Sequence, residues 1–183
     1  MNVLQTIMIL LAAFLAVFWE AAFPGTSRWL KAQIDLLPAL MVYASLCGTP
    51  SVIALLAVGG GLFFDSLSAN PLGVTILPLF VVGFAIYLRR DLVLREQPYA
   101  QFVLGFVACA TTPVLTVLLL LTAGELPLLG WGSLWQWLVM SVGGAVATPI
   151  LFFIFEWGQR AFGYRRVIET SFRPDREIRR GRN

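Results

Sequence analysis

YAQFVLGFVACATTPVLTVLLLLTA occupies residues 99–123, and it contains no Asp, Glu, Lys or Arg. In a helix rising 1.5 Å per residue such a run is about 37 Å long, more than the roughly 30 Å of hydrocarbon in a bilayer. Pro98 precedes it and Gly124 follows it, a start and a stop in the order helices favour. The stretch therefore reads as a membrane-crossing helix, and the rest of the chain repeats its character. Of 183 residues, 58% are hydrophobic and 13% charged, and the mean hydropathy is +0.82. A soluble domain carries nearer 25% charged residues. The expected fold class is all-α, a polytopic membrane bundle of about six helices.

Working outward, the first apolar run is Val3–Phe23, stopped by Pro24-Gly25. It lacks a basic leader and exceeds the usual signal-peptide core, so it reads as a retained first span. A linker with Arg28, Lys31 and Asp35 leads to a short second run, Ile34–Cys47, for which Gly48 is expected as a left-handed cap. Thr49-Pro50 opens a third run, Ser51–Leu67, and Asn70-Pro71 is read as opening a fourth, Leu72–Leu88, in the same way. The fifth is the run quoted above. The sixth is read as starting at Ser133, where Ser133 and Gln136 match a capping box, and as continuing to Trp157. Pro78, Pro113 and Pro149 are expected to kink their helices. Thr111, Thr112 and Thr148 are candidates to satisfy the carbonyls so freed. Residues 1–159 form the transmembrane domain in this reading, and 160–183 a basic cytoplasmic tail.

Eight of the thirteen basic residues lie between Arg160 and Arg182. Six spans with both termini cytoplasmic put eleven basic residues inside and two outside; five spans put all thirteen inside. Charge alone leaves both counts open. The tail is too short for a folded basic face with interleaved aromatics, so no nucleic-acid partner is expected. Arg173, Arg176, Arg179, Arg180 and Arg182 either only fix orientation during insertion or hold the tail against anionic membrane lipid, and the sequence leaves both readings open. All six tryptophans, Trp19, Trp29, Trp131, Trp135, Trp137 and Trp157, fall near span ends, where amphipathic rings favour the headgroup layer.

No catalytic set, cofactor site or metal site is visible. The chain has no histidine, and its two cysteines, Cys47 and Cys109, sit in apolar runs. Three acidic residues lie in spans and merit individual reading, because burying an ionisable group is costly. Glu20 reads as an interfacial, solvated carboxylate. Glu156 precedes Arg160 by four residues and reads as half of a helical ion pair. Asp65 is harder to place: it lies in the last turn of the third run, where the helix dipole repels a carboxylate. It follows Gly59-Gly60-Gly61, a stretch suited to close helix approach. The N–H groups of the Ser66–Asn70 turn are its expected donors.

Two stretches carry a family likeness. Asp35-Leu36-Leu37-Pro38-Ala39-Leu40-Met41-Val42-Tyr43 opens the second run. Gly61-Leu62-Phe63-Phe64-Asp65-Ser66-Leu67-Ser68-Ala69-Asn70-Pro71-Leu72-Gly73 joins the third to the fourth. Together they resemble the Asp-Leu-Leu run and the Gly-Leu-x-x-Asp…Pro-Leu-Gly turn of the rod shape-determining protein MreD family. Length, span order and the basic C-terminal end are similar over most of the chain. The resemblance implies six spans and a fold similar to the substrate-binding subunits of energy-coupling-factor vitamin transporters. It also implies a non-enzymatic role in the bacterial inner membrane, within the cell-elongation machinery that maintains cell shape. The implied partners are an MreC-like protein, a RodA-like peptidoglycan polymerase with its penicillin-binding partner and, indirectly, an MreB-like filament. Asp35, Gly61, Asp65, Asn70, Pro71 and Gly73 are the implied partner-binding or structural motif.

The alternative is a vitamin-binding subunit of an energy-coupling-factor transporter, whose docking motif Ala12-x-x-x-Ala16 resembles. Against it, the outward loops offer few polar groups to hold a vitamin. A membrane enzyme acting on lipid-linked substrate would have Asp65 and Glu125 as its only acidic candidates.

Overall fold

The structure, a computed structural model, describes residues 3–22, 35–68, 71–90, 97–124 and 130–162. The described residues form six helices and no strand: α1 Val3–Ala22, α2 Leu37–Cys47, α3 Pro50–Leu67, α4 Ile76–Arg89, α5 Pro98–Thr122 and α6 Trp131–Phe162. Three are long and apolar enough to cross a membrane: α3, α5 and the Trp131–Gly158 part of α6. Most of the expected basic tail lies outside the described residues, as does Trp29.

The outer surface of the bundle is unlike that of a soluble protein. Large apolar side chains face outward along whole helices: Leu11, Leu15 and Phe18 on α1, Leu55 and Leu62 on α3, Phe153 and Ile154 on α6. Polar side chains lie inside, among them Asp65, Gln101, Thr112, Ser141 and Thr148. Exposed apolar surface on this scale has no place in a water-soluble monomer. The chain is a membrane protein.

Helix α2 is the hub. Every residue from Leu37 to Leu46 is buried, and all five other helices pack on it. Eleven residues give about 16 Å of helix, far short of a bilayer's thickness. Its apolar residues show no single face because neighbours surround it. Tyr43 stacks on Phe155 with ring centroids 4.4 Å apart and meets Phe152 edge-on at 4.9 Å, which ties α2 to α6. Gly83 of α4 closes on Met41 and Ile53, where a Cβ would come within 2.7 Å of the Met41 sulfur. The tightest pair is α5 with α6. Gly105 faces Thr148 there and Gly144 faces Cys109, so each helix presents a glycine to a side chain of the other.

Several local expectations change. Gly48 ends α2 with φ −100° and ψ −173°, extended rather than left-handed. Its N–H still reaches the Ala44 carbonyl at 2.7 Å. Gly124, at φ +83°, does take the left-handed form after α5. Helix α4 starts at Ile76, not at the Asn70-Pro71 pair. Pro78 therefore falls in its first turn, where no intrahelical N–H is lost, and it kinks nothing. Helix α6 starts at Trp131, and the Gly130 carbonyl takes the N–H groups of Ser133 and Leu134. The Ser133 hydroxyl accepts the Gly130 N–H at 3.4 Å, so Ser133 lies inside the first turn instead of capping it. Thr49 does precede α3 in an extended conformation, but its side chain makes no capping bond.

Pro113 and Pro149 lie inside continuous helices. Thr111, Thr112 and Thr148 donate to the carbonyls of Val107, Ala108 and Gly144. None of the three serves Cys109 or Ala145, the carbonyls that lose their N–H partners to the prolines. The geometric reason is that a threonine hydroxyl bonds back to its own i−4 carbonyl.

Candidate functional site

Three of the four described acidic residues, Glu20, Asp35 and Asp65, gather at one end of the bundle, where α1 and α3 finish and α2 and α4 begin. Asp65 is 1% exposed. Its Oδ2 accepts the N–H of Gly73 at 2.9 Å and of Thr75 at 3.1 Å, while Oδ1 accepts the Thr75 hydroxyl. Thr75 occupies the N-cap position of α4, but its side chain makes no capping bond and turns to Asp65 instead. The carboxylate thus lies at the negative end of α3 but against the positive end of α4, which removes the dipole objection raised by its position in sequence. The donors differ from those expected. Ser68 turns its N–H to the Phe64 and Asp65 carbonyls. The Asp65 side chain reaches past it to the residues just before α4.

Glycines make that reach possible. At Gly61 a Cβ would sit 3.1 Å from the Ile76 backbone, so α3 and the start of α4 approach closely only because none is present. Gly73 adopts φ +93°, a conformation that side chains resist, and this turns the Pro71–Thr75 segment back toward Asp65. Gly60 accommodates the Leu37 side chain, while Gly59 faces open space. Of the six motif residues, the structure brings Gly61, Asp65 and Gly73 together. Pro71 lies on the exposed turn beside them and accepts the Val74 N–H at 3.4 Å. Asn70 lies outside the described residues. Leu72, 71% exposed, forms the tip of the turn.

Asp35, the sixth, belongs to a second cluster at the start of α2. Its Oδ1 accepts the Leu37 N–H at 2.9 Å, an Asx turn on the first helical residue. Glu20 reaches across from α1 and accepts the Leu36 N–H at 2.6 Å. The interfacial reading of Glu20 is therefore incomplete: one oxygen bonds to the backbone of α2. The other is buried with no partner among the described residues. Glu20 also lines a small cavity of about 60 Å³ with Val17, Ala21, Phe64, Leu67 and Ser68. Glu156 is exposed, and the side chain of its expected partner Arg160 lies outside the described residues.

No group of three or more potential metal ligands occurs among the described residues. The arrangement can bind backbone N–H groups, hold a turn and present its tip; every described donor on Asp65 comes from the chain itself. Two contributors were missed in the sequence. Thr75 had a signal, a threonine directly before the apolar run that opens with Ile76, which is the pattern of an N-cap. The Glu20–Leu36 contact had none, because it joins residues sixteen apart through tertiary packing. Trp137 also does more than mark a boundary, since its indole N–H donates to the Ala110 carbonyl at 2.9 Å. Ala12 packs partly against the chain's own core.

Compared with family models, curated proteins and solved structures, the chain matches none.

Proposed function

We propose that this chain is a non-enzymatic component of the bacterial cell-elongation machinery, of the MreD kind. It resides in the inner membrane with six spans and both termini in the cytoplasm. It links an MreC-like protein, and through it an MreB-like filament, to a RodA-like polymerase and its penicillin-binding partner. The observation that carries this reading is the Asp65 turn. The residues of the Gly-Leu-x-x-Asp…Pro-Leu-Gly run are scattered over thirteen positions, yet Gly61, Asp65 and Gly73 converge on one hydrogen-bonded unit. A motif whose members meet in space has a single physical task. Here the task is to fix a short exposed turn, tipped by Leu72, at the end of the bundle. A rigid projecting turn with no reactive group suits protein docking.

Complementation tests the reading. In a rod-shaped host depleted of its own MreD-type protein, this chain should restore rod shape, and Asp65→Ala at matched membrane levels should not. Rod shape maintained without any such protein would overturn the assignment. Co-purification of ATPase subunits in place of MreC-like and RodA-like proteins would instead favour the vitamin-transporter alternative.

A further inference from the structure

Helices α5 and α6 change character at the same level. Every buried residue of α5, from Gln101 through Cys109 to Thr112, precedes Pro113. Residues 113–122 of α5 and 131–140 of α6 include no buried one, and burial in α6 begins at Ser141. The hairpin is therefore packed into the bundle over its inner half and stands clear of it over its outer half. The backbone is weakest at that boundary. Pro113 takes the N–H partner from the Cys109 carbonyl, and the hydroxyls of Thr111 and Thr112 bond elsewhere. Gly143-Gly144 lies across from it, because Gly144 packs on the Cys109 side chain. Prolines and paired small residues are where helices bend. One side chain spans the boundary. Trp137, on the outer half of α6, donates its indole N–H at 2.9 Å to the carbonyl of Ala110, on the inner half of α5.

We propose that residues 113–142 form an arm that swings as a unit about Pro113 and Gly143-Gly144, with the Trp137–Ala110 hydrogen bond as its latch. The direction of the arm decides what it borders. The Cys109 sulfur meets the backbone of Ala39, in the first turn of α2. From there α2 runs toward Phe152 and Phe155, on which Tyr43 packs, and so away from the arm. The arm thus projects past the start of α2, the end of the bundle that carries Glu20 and Asp35. A swing widens or narrows that end while the packed inner half stays in place. The hinge and its latch are independent of the cell-elongation reading.

Pulsed electron spin resonance on the full chain in phospholipid nanodiscs tests the arm. Spin labels are attached at Leu55→Cys on α3 together with either Leu118→Cys on the arm or Val107→Cys on the inner half of the same helix. All three positions are about half exposed. Cys47→Ser removes the partly buried native thiol, and Cys109, fully buried, stays unlabelled. Trp137→Phe keeps an aromatic ring but loses the donor. It should broaden the 55–118 distance distribution at least twofold and leave the 55–107 distribution unchanged. Adding Pro113→Ala, which returns an N–H to the Cys109 carbonyl, should restore the narrower width. An unchanged 55–118 width in Trp137→Phe, equal broadening of both pairs, or no narrowing by Pro113→Ala overturns the proposal. If Trp137→Phe fails to fold, the unaltered chain decides: its 55–118 distribution must be broader than its 55–107 distribution, and equal widths overturn the hinge.

Discussion

Replacing Asp65 with alanine removes the acceptor of three hydrogen bonds: from the Gly73 N–H at 2.9 Å, the Thr75 N–H at 3.1 Å and the Thr75 hydroxyl. The hydroxyl can rotate to another acceptor, but the two amides cannot. A buried donor left unsatisfied costs about 1–3 kcal/mol. The Thr75 donor is buried and the Gly73 donor part-buried, so, less what is regained by no longer burying a carboxylate, the net cost to the turn is about 1–4 kcal/mol. Asp65→Asn keeps one oxygen and offers an amide N–H₂ where an acceptor is needed, so about one bond is lost, at about 1–3 kcal/mol. With tenfold per 1.4 kcal/mol, local opening should rise about 5- to 700-fold in the alanine variant and about 5- to 150-fold in the asparagine variant. Hydrogen–deuterium exchange of the detergent-solubilised protein measures this directly in peptides covering residues 71–76. Peptides from α5 serve as the internal reference. Unchanged exchange at Gly73 and Thr75 in Asp65→Ala would refute the claim that the carboxylate holds the turn.

Three further outcomes follow from other contacts. Glu20→Ala should lower the unfolding midpoint in denaturant titrations by the equivalent of about 1–2 kcal/mol, whereas Glu20→Gln, which still accepts the Leu36 N–H, should cost less than half of that. Gly105→Ala should destabilise by about 1–3 kcal/mol because its Cβ meets Thr148 and, at 3.0 Å, the Gly144 carbonyl. Gly59→Ala, with nothing within 4 Å, should instead be neutral or raise the melting temperature. A cysteine placed at Ser27 should react with a membrane-impermeant maleimide from the periplasmic side, as six spans require; reaction only after the membrane is opened would support five.

Much of the helical layout was legible because lipid leaves a coarse signal. The ends of α3 and α5 fall within a residue or two of where apolar runs meet Pro98, Gly124 or Thr49-Pro50. The start of α4 was not legible from Asn70-Pro71, since a proline marks equally well a helix start or the turn before one. What decides is Asp65, which draws the N–H groups of Gly73 and Thr75 to itself and delays the helix until Ile76. Gly48 fails for a similar reason: only three residues separate Cys47 from Ser51, and the chain goes straight from one helix into an extended link to the next. Composition shows that a glycine is there but does not show which way the chain leaves it.

The three acidic residues of this end then have a common physical account. Helix α2 is enclosed by five neighbours, and every residue from Leu37 to Leu46 is buried, so the unbonded N–H groups at its start have little water to bond with. Asp35 supplies an acceptor to Leu37, and Glu20 supplies one to Leu36. Helix α4 begins beside the same end, and Asp65 supplies its Gly73 and Thr75 donors. Each carboxylate therefore sits where the helix dipole is positive and free N–H groups point at it, a placement that offsets part of the cost of burying charge. Asp65 is engaged by three donors of the chain and Asp35 is bonded to its own helix, while the second oxygen of Glu20 is buried with no partner among the described residues. The acids of this bundle end are thus accounted for by the helices they start, and the surface they shape is the exposed turn from Pro71 to Thr75.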